Sequence, residues 1–577
     1  MQSRPDTPEG AFAVSHTLRD VLIVILFGSV LIFPSFFTRE PWNPDEPRYI
    51  EVAREMVVLH DYVVPHLNGV LYPDKPPLFF WLASIFYRAG MGMSSGRVVA
   101  ALANLGTLLL IYLFGRKLLA APAGILAVLM TASMFLFFWL LKPGVIDPLL
   151  TLLTTTALIA AYYALRGGSR RLLWWLLFYG ACSLAVLSKG PIGFLVPGVV
   201  VVVYALFNRK TVSAGGWAHA AGAAVFVGIV GTWLLAVRLH AGAAYTNEIV
   251  FGQAAVYTVA RSISHAHGPH YYLMQLPLYL FPWVCFAALG IAEAFVAWRK
   301  NRDRDASFLL LWFACILLLF MAIPAKRERY LLPLMPAVGL LCARYFAHGL
   351  RDGFRWPKLH GRLFAATFGI MVVLAAGIAA SPWVVRLWVD RAYGGDPELT
   401  AHLKFFTSPA GIFIATALAL VLLGAAIIGL RFNARKANPV LPVYAVLTWM
   451  VLLSLVIDLF VFPVMNPIKS GRSFAAEALP YLREADKSYM FGNEYSGVIN
   501  LYTGILSIPV IHDEAAMLET LEESGARKSE RIAVITDQSR YERIRGKLPP
   551  DLSVAVQEHI GQKNMVLLCN WLTSGVR

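Results

Sequence analysis

The sequence predicts an all-α polytopic membrane protein carrying a small C-terminal α/β domain, and three observations support this. Of 577 residues, 58% are hydrophobic and only 15% charged, with a mean hydropathy of +0.61, against roughly 25% charged residues in an average soluble domain. Apolar stretches of about 18 residues or more, long enough to cross a hydrocarbon core of about 30 Å, recur as far as residue 463. From residue 469 onward the chain turns polar, and its short apolar runs alternate with helical charge patterns. A soluble enzyme is excluded.

Segments 21–38, 97–114, 118–141, 147–165, 172–188, 190–207, 217–237, 271–296, 307–324, 329–347, 363–386, 408–430 and 438–463 each read as a spanning helix, about thirteen in all. The 50 Lys and Arg against 35 Asp and Glu would suggest nucleic acid in a soluble chain. In a multispanning chain such an excess belongs to cytoplasmic loops, so no nucleic-acid partner is expected. Alternate loops are indeed basic: Arg116/Lys117, Arg166/Arg170/Arg171, Arg209/Lys210, Arg299/Lys300, Arg351/Arg355 and Arg431/Arg435. This places the N-terminus in the cytoplasm and, with an odd span count, the C-terminus outside. No cleavable signal peptide is expected, because the first apolar run is long enough to remain as an anchor. Residues 1–464 form the membrane domain, including an outer loop at 39–96, and 465–577 form the outer α/β domain, with strands expected at Tyr489–Phe491, Ile532–Ile535 and Met565–Leu568 and a helix over 514–523. Cys182, Cys285, Cys315 and Cys342 lie in apolar spans and Cys569 stands alone, suggesting neither a disulfide framework nor a metal framework.

The outer loops hold the unusual residues. Tyr49, Val52, Ala53, Met56 and Val57 recur at helical spacing, with Arg48, Glu51, Arg54 and Glu55 opposite, predicting an amphipathic helix at the membrane interface. Asp45 at its start reads either as an N-cap or as a carboxylate available for base catalysis at the bilayer boundary. Glu46 follows it. In Tyr72-Pro73-Asp74-Lys75-Pro76-Pro77 the prolines stiffen the backbone and suit the first turn of the next helix, so Lys75 is held beside the membrane, where it meets either bulk headgroups or a specific anion.

Asp147, before Pro148, reads as a cap or as a second functional acid. Lys189 sits in a tight turn between two spans, on the side where the positive-inside rule disfavours it. Lys326, Arg327 and Arg329 repeat that violation, and Tyr330 follows. Clustered cations at a bilayer surface suit a phosphate, which Arg can bind bidentately and Lys as a point charge; bulk phospholipid is the plainer reading. Arg261, His265, His267 and His270 precede Tyr271-Tyr272. A His-x-His pair with Asp74 could hold a divalent cation (Zn, Mg or Mn), although interfacial histidines also serve as anchors, and no cofactor is obligatory.

Acids and cations on one membrane face, within reach of lipid, fit the transfer of a sugar from a lipid phosphate: cations stabilise the leaving phosphate while a carboxylate serves the incoming nucleophile. A transporter or flippase is the reading from a different class. It would place charges near midplane in broken helices and show repeats, whereas these charges gather at one surface.

Pro44-Asp45-Glu46-Pro47-Arg48-Tyr49, Arg54-Glu55-Met56, Val64-Pro65-His66-Leu67-Asn68-Gly69, Asp74-Lys75-Pro76, Ser188-Lys189-Gly190-Pro191 and Lys326-Arg327-Glu328-Arg329-Tyr330-Leu331-Leu332-Pro333 resemble, over about 1–350, the bacterial lipid A 4-amino-4-deoxy-L-arabinose transferases, which group with the protein O-mannosyltransferases among GT-C glycosyltransferases. The resemblance implies an undecaprenyl (polyprenyl) phosphate-linked sugar donor, inversion at the anomeric carbon, and a monomer in the bacterial inner membrane with its site on the periplasmic side. It implies lipid A as acceptor, with a protein or polysaccharide glycosyltransferase as the alternative. It makes Asp45, Asp147 and Glu46 the catalytic acids. Lys75, Lys189, Arg261, Lys326, Arg327 and Tyr330 become ligands of the donor phosphate, and Asp74, His265 and His267 a metal site. The family pattern has Glu where this chain has Asp74, and its histidines are duplicated here.

Overall fold

The computed structural model describes residues 9–208, 216–252, 266–392, 408–435, 438–492, 496–525, 530–561 and 563–572. Among them, ten helices are long and apolar enough to cross a membrane, and Tyr271–Tyr279 with Val284–Asn301, bent by 110°, make an eleventh crossing if the pair is one span. Ala121–Ser133 and Ile192–Phe207 are apolar but shorter. The chain is a multi-pass membrane protein, and every predicted segment contains a helix, though some are broken. Met134, in extended conformation, splits 118–141 into Ala121–Ser133 and Phe135–Leu140. Pro282, which cannot donate to a helical hydrogen bond, lies at the bend of the 271–301 pair.

The bundle is layered by burial. Glu328–Asp352 is 89% buried and central, whereas Gly216–Gly252 is 17% buried and peripheral. Side chains that would be costly in lipid are satisfied inside the bundle. Lys142 donates to both oxygens of Asp458 at 2.7 and 2.8 Å, to the Ser454 hydroxyl and to the Leu31 carbonyl, which ties the first span to the last. Breaking a buried pair of this kind by removing one partner costs about 3–5 kcal/mol.

The polar face of the helix Asp45–Val58 is not left open, as its amphipathic periodicity would suggest. Glu46, Glu51, Arg54 and Glu55 are buried along with its apolar residues, because the helix Ser496–Thr503 of the C-terminal domain packs over the polar face. Gly497 is the contact point, where a Cβ would come within 2.9 Å of the Arg48 Cα. Burial is tolerated because the charges are paired: Arg54 grips Glu51 with two hydrogen bonds of 2.7 Å. After this helix, β1 (His66–Leu67) and β2 (Val70–Leu71) form a short antiparallel hairpin.

The C-terminal domain follows the helix Arg472–Glu484. Its strands are β3 (Lys487–Phe491), β4 (Val510–Ile511), β5 (Ile532–Asp537), β6 (Ser553–Ile560) and β7 (Lys563–Cys569), in the order β4-β3-β5-β7-β6. β4, β3 and β5 run parallel, while β7 is antiparallel to β5 and β6. β5 is buried at every position between two apolar clusters, one on each face of the sheet, and this is why it reads as an unbroken apolar run.

Candidate active site

Four stretches separated in sequence bring their charges together at one end of the bundle. Asp45 opens its helix but does not cap it; the cap position is Pro44, and the Asp45 carboxylate accepts hydrogen bonds from Arg329 and, at 3.3 Å, from Arg327. Asp147 opens the helix Asp147–Leu165, likewise without capping it. Its carboxylate pairs with Lys189 and lies 3.8 Å from Arg329 Nε. Arg329 therefore bridges the two acids. The Lys189 ammonium also rests 4.5 Å from the ring centre of Tyr330, a cation–π contact that orients it.

The electrostatics follow from this geometry. Burial would raise the Asp45 carboxyl, but the charges of Arg329 and Arg327 outweigh it and hold the group at about 2. Asp45 is thus ionised throughout the physiological range. Lys75, half-buried on its proline-stiffened strap, is lowered to about 8 by burial and by Lys189, against the opposing pull of Asp74 and Asp45. Arg48, one helical turn from Asp45, lies beside the Tyr72 phenol and in the field of Asp45. Burial raises the Tyr49 and Tyr72 phenols, and the Asp45 charge adds to the effect. The result is an electropositive cluster: Arg48, Lys75, Lys189, Arg327 and Arg329 gather around Asp45 and Asp147.

Two of the expected site residues stand apart from this cluster. Glu46 faces away from Asp45. It accepts hydrogen bonds from Arg39 and Arg97 at 2.6 Å and from the Gly144 N–H at 3.0 Å, all buried. Burial opposes its ionisation, but Arg39 and Arg97 hold it at about 2. Its carboxylate anchors the loop that leads to Asp147. Lys326, 2% exposed, donates to the carbonyls of Phe320, Met321 and Ile323. It closes the C-terminal end of the helix Arg304–Ala322, where backbone acceptors would otherwise lack partners, and has no donor left for a phosphate.

Arg261 and His265 lie outside the described residues. His267 stacks on Tyr271 with ring centres 4.4 Å apart, Asp74 is exposed, and no group of three metal-ligating side chains forms among the described residues. The structure brings Arg329, one of the three clustered cations noted in the sequence, between the two acids, and adds Arg48, Tyr49 and Tyr72 beside Asp45.

Comparison with known proteins defines the fold first. The chain matches ArnT from Cupriavidus metallidurans, crystallised with undecaprenyl phosphate, with a TM-score of 0.75 at 22% identity, covering 98% of this chain and 100% of that one. The archaeal oligosaccharyltransferase AglB from Archaeoglobus fulgidus matches at 0.54 with 12% identity, covering 91% of this chain and 70% of that one. This chain has the GT-C architecture. Among sequence relatives, the undecaprenyl phosphate-alpha-4-amino-4-deoxy-L-arabinose arabinosyl transferase 2 of Proteus mirabilis is 29% identical over 336 residues, 56% of this chain and 59% of that protein. The chain thus spans about three-fifths of the length of the curated relatives it matches. Residues 74–235 match the family model described as dolichyl-phosphate-mannose-protein mannosyltransferase. The family likeness carried by the motifs is therefore matched both in sequence and in fold.

Replacing Lys326 with Met should lower the unfolding free energy by about 1–3 kcal/mol, since three carbonyls lose their donor. Thermal unfolding in detergent measures it, and unchanged stability would remove Lys326 from this helix-closing role.

Proposed function

We propose that the chain is a glycosyltransferase that moves 4-amino-4-deoxy-L-arabinose, or a similar sugar, from undecaprenyl phosphate to lipid A at the periplasmic face of the bacterial inner membrane. The supporting observation is the cation-rich cluster in which Arg327 and Arg329 hold Asp45 ionised. The donor phosphate binds Lys75, Lys189 and the two arginines, with Asp147 holding Lys189 and Arg329 in place and Tyr330 lying under Lys189. An acceptor oxygen attacks C1 of the sugar from the face opposite the phosphate, and the C1–O bond breaks. Undecaprenyl phosphate leaves with the bonding pair, its added charge met by the cations, and one displacement inverts C1.

The state of Asp45 bears on the acceptor. A carboxylate held near 2 is a poor general base at neutral pH, so removing a proton from a hydroxyl acceptor is disfavoured. A phosphate oxygen of lipid A is already ionised and has no proton to lose. This supports lipid A over protein or polysaccharide acceptors and leaves Asp45 to steer the sugar and stabilise positive charge developing at C1. The basic loops Arg299/Lys300 and Arg351/Arg355 then face the cytoplasm with the N-terminus, and the C-terminal domain stands in the periplasm.

Asp45→Asn should abolish transfer in purified protein supplied with the lipid-linked sugar, and lipid A from cells carrying that variant should lack a sugar mass that cells with the unsubstituted chain show. Unchanged turnover would remove Asp45 from the chemistry, and identical lipid A in cells with and without the gene would move the acceptor elsewhere.

The alkaline limb tests Lys75. Its ammonium, lowered to about 8, is charged below that pH and neutral above it, so affinity for undecaprenyl phosphate should fall as pH rises from 7 to about 9. Lys75→Arg, charged throughout, should flatten that limb. A decline of the same size in both proteins would assign it to another group.

A further inference from the structure

We infer that Glu55 is a positioning residue for the lipid-phosphate site, holding the β1–β2 turn that aims Tyr72 and Lys75. The turn is Asn68-Gly69, and both residues have positive φ (58° and 74°), as a two-residue hairpin turn matched to strand twist requires. Such a turn leaves its own N–H groups without partners inside the hairpin. Both find Glu55: the Asn68 N–H donates to one carboxyl oxygen at 2.6 Å and the Gly69 N–H to the other at 3.0 Å. Glu55 is fully buried, where a carboxyl is costly unless its oxygens accept hydrogen bonds.

The opposite side of the turn is gripped by the C-terminal domain. The Asn68 side-chain amide donates to the Ile508 carbonyl at 2.7 Å, and its oxygen accepts from the Ile508 N–H and the Asn500 amide, each at 2.8 Å. Gly69 lies where a Cβ would come within 2.9 Å of Ser507. The hairpin is therefore clamped between a carboxyl of the Asp45 helix and a loop of the C-terminal domain.

The clamp acts on the site because the chain beyond the turn has little freedom. The Tyr72 N–H donates to the Pro65 carbonyl at 2.8 Å, closing the base of the hairpin. The Tyr72 carbonyl accepts from the Tyr245 hydroxyl at 2.9 Å, and Pro73, Pro76 and Pro77 stiffen the segment that presents Lys75. One helix thus carries Asp45 and Arg48 at its start and Glu55 near its end. Through Glu55 it sets where Tyr72 and Lys75 stand relative to its own acid. The inference rests on the reading of the cluster as a lipid-phosphate site and adds to it a distant carboxyl and a domain contact.

The test measures undecaprenyl phosphate affinity and melting temperature for the full chain in detergent. Glu55→Ala should weaken binding about tenfold or more, the scale of loss for a displaced ligand group, and Glu55→Gln, which keeps one acceptor oxygen, should recover part of it. Asn500→Ala removes one of the hydrogen bonds of the other jaw and leaves every residue of the Asp45 helix unchanged; it should weaken binding in the same direction, so the test stands even if Glu55→Ala does not fold. Affinities equal to that of the unsubstituted chain, with only the melting temperature lowered, would overturn the positioning role alone. Failure of the unsubstituted chain to bind undecaprenyl phosphate would instead overturn the donor reading and this inference with it.

Discussion

Arg329 reaches Asp45 with one nitrogen and Asp147 with another, and the rest of the site is arranged around that bridge. The acids belong to separate helices, and neither caps its own. Without a cation between them, two carboxylates turned into the same partly buried space would repel each other and lose hydration. With it, the loop after Ile323, the start of the Asp45–Val58 helix and the start of the Asp147–Leu165 helix become one unit. Lys189 joins through Asp147 and brings the turn between two further spans.

The chain sorts its buried charges into two kinds of cluster. In closed clusters each carboxyl is fully engaged: Glu46 by Arg39, Arg97 and Gly144, and Asp458 by Lys142 and Ser454. These lock loops to spans, and retaining them has a structural rationale even where an apolar pair of the same volume would be equally stable. The open cluster differs in composition, with five cations around Asp45 and Asp147. An excess of positive charge at the end of a lipid-embedded bundle is stable only with water or an anion nearby, and the proposed lipid phosphate would be such an anion.

Much of this was legible in the sequence because the signals were local. Spans announce themselves by length and apolarity, and β3, β5 and β7 by apolar runs buried on both faces. Edge strands β4 and β6 escaped, the first for being two residues long and the second for mixing exposed and buried positions. Lys189 and Arg327 were recognisable as cations on the wrong side of a topology rule, and Asp45 and Asp147 as acids beside prolines at the starts of helices. The rule could not say which member of a charged run turns inward: Lys326 and Arg329 are three residues apart, yet one closes a helix and the other bridges the acids. Glu46 and Asp45 are adjacent on a helix and so point about 100° apart, which sends one to the closed cluster and the other to the open one. The burial of Glu51 and Glu55 depends on a domain more than 400 residues downstream, beyond the reach of any periodicity.

If Asp45 and a donor phosphate compete for the same two arginines, removing the Asp45 charge should free them. The direct measurement is the affinity of Asp45→Asn for undecaprenyl phosphate at neutral pH and low salt. The account predicts binding tighter than that of the unsubstituted chain, by about threefold or more. Equal or weaker binding would contradict it, because the arginines would then not be the groups that receive the phosphate.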